Sequence, residues 1–338
     1  MNSLCPVLAV LAFLSAIAVD AEGVINIYSH RHYDTDRELF ARFEAQTGIH
    51  VNVTKAKADE LIKRLEIEGE RSPADLLITV DAGRLWRAKD KGLLQPLAVP
   101  EFDRLVPAHL RDPEHYWIGL TTRACVIAYA KDRVKAGELS TYRDLTSRRW
   151  AGRLLVRSSR NIYNQSLLAS IIARDGAESA HEWAAGVLAN MARQPKGNDR
   201  DQIKAIAAGI GDVAIINSYY LGLMLNSSNP VEREVARQVS IFFPDQDGHG
   251  SHVNISGAGL TRSSKNRRNA VRLLEFLLST PIQERFAEAN YEYPVNPEAT
   301  WSPLLRSWGE FKADSLNLSQ LGAHNRAAVM IFDRVGWR

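Results

Sequence analysis

Short apolar runs alternate with amphipathic segments through the N-terminal third of the chain, and no other feature narrows the possible folds so far. Residues 24–29, 50–54 and 75–80 are apolar or alternating and read as strands. Between the first two, Leu39, Phe40 and Phe43 share one helical face, Thr35 and Glu38 stand at capping-box spacing, and Gly48 is the stop. Asp59 opens a second helix through Leu61, Ile62 and Leu65. Asp81-Ala82 leads into a third, with Leu85 and Trp86 on one side and Gly92 at its close. The order is βαβαβα. Right-handed crossovers turn that order into a parallel sheet covered on both faces.

Pro96, Pro100, Pro107 and Pro113 punctuate a looser region, after which two extended runs, 116–120 and 123–130, meet at Thr121-Thr122. That joint is the first expected crossing between lobes. A second α/β region follows, with a strand at 154–156, helices over 164–174, 177–192 and 201–208, and a strand at 212–217. Residues 239–243 are the expected return crossing. The run Val253-Asn254-Ile255-Ser256-Gly257-Ala258-Gly259 is extended and glycine-rich, so backbone there is expected to approach a neighbour closely. Helices are expected over 269–278 and from Pro281 to about Ala289, then a mostly helical tail ending in Phe332 and Trp337. The 338 residues suffice for two such lobes. The reading is α/β, two lobes joined by crossing strands around a ligand cleft. The first lobe is expected at 22–122 and 240–295, the second at 123–239 and 296–338.

Residues 1–21 differ from the rest. An apolar core at 8–17 and small residues at Val19-Asp20-Ala21 read as a secretory signal peptide. Export would remove Cys5 and leave Cys125 alone, so neither an internal disulfide nor a thiolate metal site can form. Cys125 lies in an apolar run and reads as buried packing. A net charge of +3 with no basic block gives no nucleic-acid surface.

Tyr33, Tyr163 and the adjacent Tyr219-Tyr220 all fall where a strand gives way to a helix, the place where open α/β folds put ligands. Phenolate is a hard anionic oxygen donor, and a bound cation favours it over the phenol. Among common metals ferric iron has the charge and hardness for several phenolates, whereas zinc and copper lean on imidazole or sulfur. Arg123, Arg157 and Arg160 are candidates to balance the charge. His32 is open to three readings: a further ligand through neutral imidazole, a hydrogen-bond partner of a phenolate, or a surface residue. Asp75 and Asp81 flank the third strand and read as a cap and a fold contact. No nucleophile elbow, phosphate loop or HExxH motif is present, and Ser158 or Ser159 with a distant histidine is the only enzymatic arrangement available.

Several segments, taken in order, resemble the ferric-iron-binding periplasmic proteins of ABC importers. They are Ile27-Tyr28-Ser29-His30-Arg31-His32-Tyr33-Asp34-Thr35-Asp36, then Arg157-Ser158-Ser159-Arg160-Asn161-Ile162-Tyr163-Asn164-Gln165-Ser166-Leu167, then Asp212-Val213-Ala214-Ile215-Ile216-Asn217-Ser218-Tyr219-Tyr220-Leu221-Gly222, and finally His252 through Gly259. The resemblance implies a periplasmic, hinge-closing, non-enzymatic monomer that captures Fe(III) and delivers it to an ABC permease. It carries the ligand role onto Tyr33, Tyr163, Tyr219 and Tyr220, with His32 as an additional ligand. It favours no obligatory synergistic anion such as carbonate. Thr122 and Cys125 depart from the basic residues expected beside Arg123. The rival reading is a solute-binding protein for a phosphorylated or polyamine-like organic solute.

Overall fold

The computed structural model describes residues 23–31 and 33–338. The expected signal peptide and His32 lie outside the described residues.

β1 (Gly23–Ser29), α1 (Asp34–Thr47), β2 (Ile49–Lys55), α2 (Ala58–Glu68), β3 (Leu76–Val80) and α3 (Ala82–Asp90) carry the expected alternation. β1 pairs in parallel with β2 on one side and β3 on the other. Leu39 and Phe43 of α1 and Leu85 of α3 are fully buried with Ile25, Ile27 and Leu76 of the sheet. The capping box expected at Thr35 does not form. Tyr33 is the N-cap of α1, so Thr35 falls inside the first turn and donates instead to Asn290 Oδ1 at 3.0 Å.

α4 (Pro100–Leu105) is followed by β4 (Ile118–Ala130). The two runs expected to meet at Thr121-Thr122 are therefore one strand, bent by an irregularity between Gly119 and Thr121 rather than broken by a turn. Next come β5 (Leu154–Leu155), α5 (Ile162–Ala189), α6 (Asp199–Ala207), β6 (Val213–Asn217), α7 (Ser218–Leu225), α8 (Pro230–Arg237) and β7 (Val239–Phe242). The two helices expected across 164–192 are the two arms of α5, which break at Gly176, where φ is 87° and ψ 168°. Glycine takes that conformation without steric cost.

The chain closes with β8 (Val253–Leu260), α9 (Arg267–Leu278), α10 (Thr280–Ala289), β9 (Tyr293–Pro294), α11 (Pro303–Ser307), α12 (Ser319–Ala323) and α13 (Asn325–Val335). β7, expected as the return crossing, pairs only with Ile127 to Ala130 of β4. β8 makes the return: Val253 lies opposite Ala124, and Leu260 lies opposite Leu76 of β3. Its glycines permit this pairing, because a Cβ on Gly257 would stand 2.6 Å from the Ile118 carbonyl oxygen.

The strand order is β2-β1-β3-β8-β4-β6-β5, with β7 and β9 also on β4. β4 divides this sheet. Its first half pairs with β8 and its second with β6 and β7, so a lobe stands on either side of the strand's middle. One core fills out the second lobe around Trp150, Trp183 and Trp337, and α13 packs there on α5. Among the described residues no helix is long and apolar enough to cross a membrane.

Candidate metal centre

The four tyrosines are delivered by three helix N-termini. β6 ends at Asn217, so Tyr219 and Tyr220 fall in the first turn of α7. Tyr163 is the second residue of α5, its N–H donating to the side chain of the N-cap Asn161 at 3.1 Å. Tyr33 is itself the N-cap of α1. Helical side chains lean toward the N-terminus, where the backbone dipole favours negative charge. The Tyr219 and Tyr220 rings stack with centroids 4.2 Å apart.

The phenols sense one another. Burial raises Tyr219 well above the ordinary tyrosine range, and Tyr163, Tyr33 and Tyr220 push it further, against Arg123. Burial likewise raises Tyr33 well above that range. Glu292 and Tyr163 add to the rise, while Arg31 and Arg123 oppose it. Tyr220 is raised by burial, then by Tyr163 and Asp199, against a hydrogen bond with Tyr219 and the charge of Arg157. Tyr33 and Tyr163 therefore lie within electrostatic reach of each other and of Tyr219.

Guanidinium groups cover two of the rings. Arg31 lies over Tyr33 at 4.9 Å from the ring centre. Arg123 and Arg157 flank Tyr163 at 5.5 and 5.7 Å. Arg157 is paired with Asp199, which also accepts the Asn217 N–H at 3.0 Å and so ties the cation to the start of α7. Arg123 is 1% exposed, and its Nε and one Nη have no acceptor among the described residues. Arg160, the third expected cation, is exposed.

Three residues of this centre were not singled out from the sequence. Arg31, Glu292 and Asp199 are each charged and buried or nearly so. Arg31 pairs with Asp36 at 3.1 Å and with Glu292 at 3.5 Å. The available signal for Glu292 was a lone acid in the apolar context Tyr291-Glu292-Tyr293-Pro294-Val295. Removing one member of such a buried network costs about 3–5 kcal/mol.

Asp75 and Asp81 have the structural roles expected of them. Asp75 accepts from Asn26 N, Ser264 and Asn266. Asp81 caps α3 through Gly83 N at 2.8 Å and accepts from Ser166 and Asn254. Cys125 is buried, and burial pushes its thiol up to about 12. Ser158 Oγ accepts the Arg160 N–H, an ordinary turn contact. Among the described residues no group of three His, Cys, Asp or Glu side chains could hold a metal. A cavity of about 140 Å³ lies elsewhere, lined by Tyr142, Arg174, Asp245, His252 and Asp314 among others. A bare ion needs a convergent donor set rather than volume.

Two lobes sharing long crossing strands, with Tyr219 buried and Tyr33, Tyr163 and Tyr220 half-buried, define a ligand-capturing binding protein. Residues 71–307 match the family described as bacterial extracellular solute-binding protein. The chain belongs to that family. Iron uptake protein A1 of Synechocystis is 48% identical over 93% of this chain and 87% of the relative. A Trichodesmium protein solved in complex with iron and citrate superposes with a TM-score of 0.91, at 49% identity, covering 94% of this chain and all of that one. The ferric binding protein from Campylobacter jejuni gives 0.88 at 45% identity, covering 93% of this chain and 100% of that one. Membership makes the chain an extracytoplasmic transport component, not an enzyme.

Proposed function

We propose that Tyr33, Tyr163, Tyr219 and Tyr220 hold one Fe(III) ion as phenolates, with His32 as a fifth donor, and that the protein carries this ion through the periplasm to an ABC-type permease. One observation carries the reading: four tyrosines from two lobes converge where cations are already buried and where among the described residues no other metal-ligating cluster exists. Ionising Tyr33, Tyr219 and Tyr220 is unfavourable while they are buried and crowded together. A trivalent cation reverses that balance, because it becomes the largest local charge. Four phenolates and Fe(III) carry one net negative charge, which Arg123 and Arg157 offset. The relatives that bind iron support the same cargo.

The capture mechanism follows from the lobes. Tyr163, Tyr219 and Tyr220 receive the ion on the second lobe, and Tyr33 completes the shell on closure. Neither lobe alone saturates the ion, so binding shifts the protein to its closed form. That form is the one presented to the permease, by a monomer exported on its signal peptide, with no obligatory anion.

A visible titration of the mature protein with ferric citrate tests this. The wild type develops a broad phenolate-to-iron band that saturates at about one ion per chain. Tyr219→Phe/Tyr220→Phe loses it. A colourless wild type that retains no iron would overturn the reading in favour of an organic solute.

A further inference from the structure

Glu292 is 0% exposed and sits just before β9, at the middle of the two crossing strands. Each of its oxygens serves one hydroxyl and one guanidinium. Oε2 accepts from Thr121 at 3.0 Å and faces Arg31 Nη1 at 3.5 Å. Oε1 accepts from Ser256 at 3.2 Å and faces Arg123 Nη1 at 4.0 Å. Thr121 and Arg123 belong to β4 and Ser256 to β8, so the carboxylate grips both crossing strands. The two guanidiniums it holds are those that cover Tyr33 and Tyr163.

We propose that Glu292 is a positioning residue of the iron centre: through Arg31 and Arg123 it fixes the cations over one tyrosine from each lobe and sets the charge those phenolates feel. This rests on the iron reading above. The two cations do not depend on it equally. Arg31 also has Asp36, which takes its Nε and Nη2 at 3.1 Å each. Arg123 has no other carboxylate partner among the described residues, and its only hydrogen bond there is to Ser256 at 3.4 Å. Loss of Glu292 therefore frees Arg123 and disturbs Tyr163 more than Tyr33.

The test uses Glu292→Gln in the full mature protein. The neutral amide leaves two buried cations unbalanced beside the phenolates. Unbalanced positive charge stabilises the phenolate electrons, so the ligand-to-metal band moves to higher energy. In a Tyr163→Phe background the band shift shrinks, because the tyrosine that Arg123 covers no longer contributes. A residue that only holds the fold together would lower the melting temperature and leave the band where it is. A Glu292→Gln band at the wild-type energy overturns the proposal. A wild type with no band overturns the iron reading instead, so the two failures are distinct. If the Gln variant does not fold, Glu292→Asp is read the same way: the carboxylate is withdrawn from Arg123 by one methylene, and the band shifts in the same direction by less.

Discussion

The two sides of the tyrosine cluster oppose ionisation in different ways. On the second lobe the charge acting most strongly on Tyr219 after burial is that of its fellow phenols. On the first lobe the charge acting most strongly on Tyr33 is Glu292, a fixed carboxylate. A bound cation converts the first kind of repulsion into shared coordination, because the repelling groups all become its ligands. It does not remove the second kind, since Glu292 is held in place by Thr121 and Ser256. On the proposed ligand set, the side with three tyrosines would accept the ion and the side with one would let go.

Single substitutions sharpen that contrast most. Tyr163→Phe removes a donor that acts on both Tyr33 and Tyr219, while its ring stays between Arg123 and Arg157. Tyr33→Phe removes only the closing donor. Tyr163→Phe should lose more than about 100-fold in Fe(III) affinity, beyond what the loss of an outer partner costs. Tyr33→Phe should lose less, keep its colour, and remain open when loaded. Chelator competition measures the affinities, and small-angle scattering with and without iron reports closure. Equal losses in the two variants, or closure of loaded Tyr33→Phe, would erase the distinction between the sides.

The sequence carried the addresses of these ligands better than their surroundings. Each tyrosine follows an apolar run and precedes a helix, so its strand-to-helix position could be read locally. That β6 lies antiparallel to β4, and that β4 is one strand with a bend rather than two runs, depends on pairing partners far along the chain. The break between the two arms of α5 was legible locally, because Gly176 takes a non-helical φ of 87° that glycine allows. Arg123 was legible as a candidate cation because it precedes an apolar run. Glu292 was not, because its meaning comes from Arg31, Thr121 and Ser256, whose sequence separations from it run from 36 to 261 residues.

Acid should expose the same difference in proton counts. Burial and neighbours hold Tyr33, Tyr219 and Tyr220 above their ordinary range, so these groups are phenols in the iron-free protein at neutral pH. Binding must release their protons, and affinity therefore rises with pH and falls as pH drops. A plot of log affinity against pH should lose about one unit of slope in Tyr33→Phe, since one fewer proton is exchanged. Under the contrast drawn above, the first proton to return on acidification goes to Tyr33, beside Glu292. The early part of acid-driven release should then be missing from Tyr33→Phe, while the later part survives. A slope unchanged by the substitution would remove Tyr33 from the ligand set.

A smaller effect separates release of the ion from loss of the lobe that first receives it. His252 is buried beside the second-lobe cavity, and burial lowers it to about 4. The folded value lies below the unfolded value of about 6.5. The neutral imidazole thus contributes stability that is fully present above about pH 6.5 and is lost as pH falls toward 4, by up to about 3 kcal/mol. Iron-free protein should melt at a lower temperature at pH 5 than at pH 7. Tyr33→Phe should show the same drop, because a phenol does not titrate in that window. His252→Gln should show less of it, because no proton is taken up at that site on unfolding. Calorimetry of the three iron-free proteins checks this. If His252→Gln removes the acid loss of iron as well as the acid loss of stability, release begins with loosening of the second lobe, and the first lobe's single tyrosine is not the weaker grip.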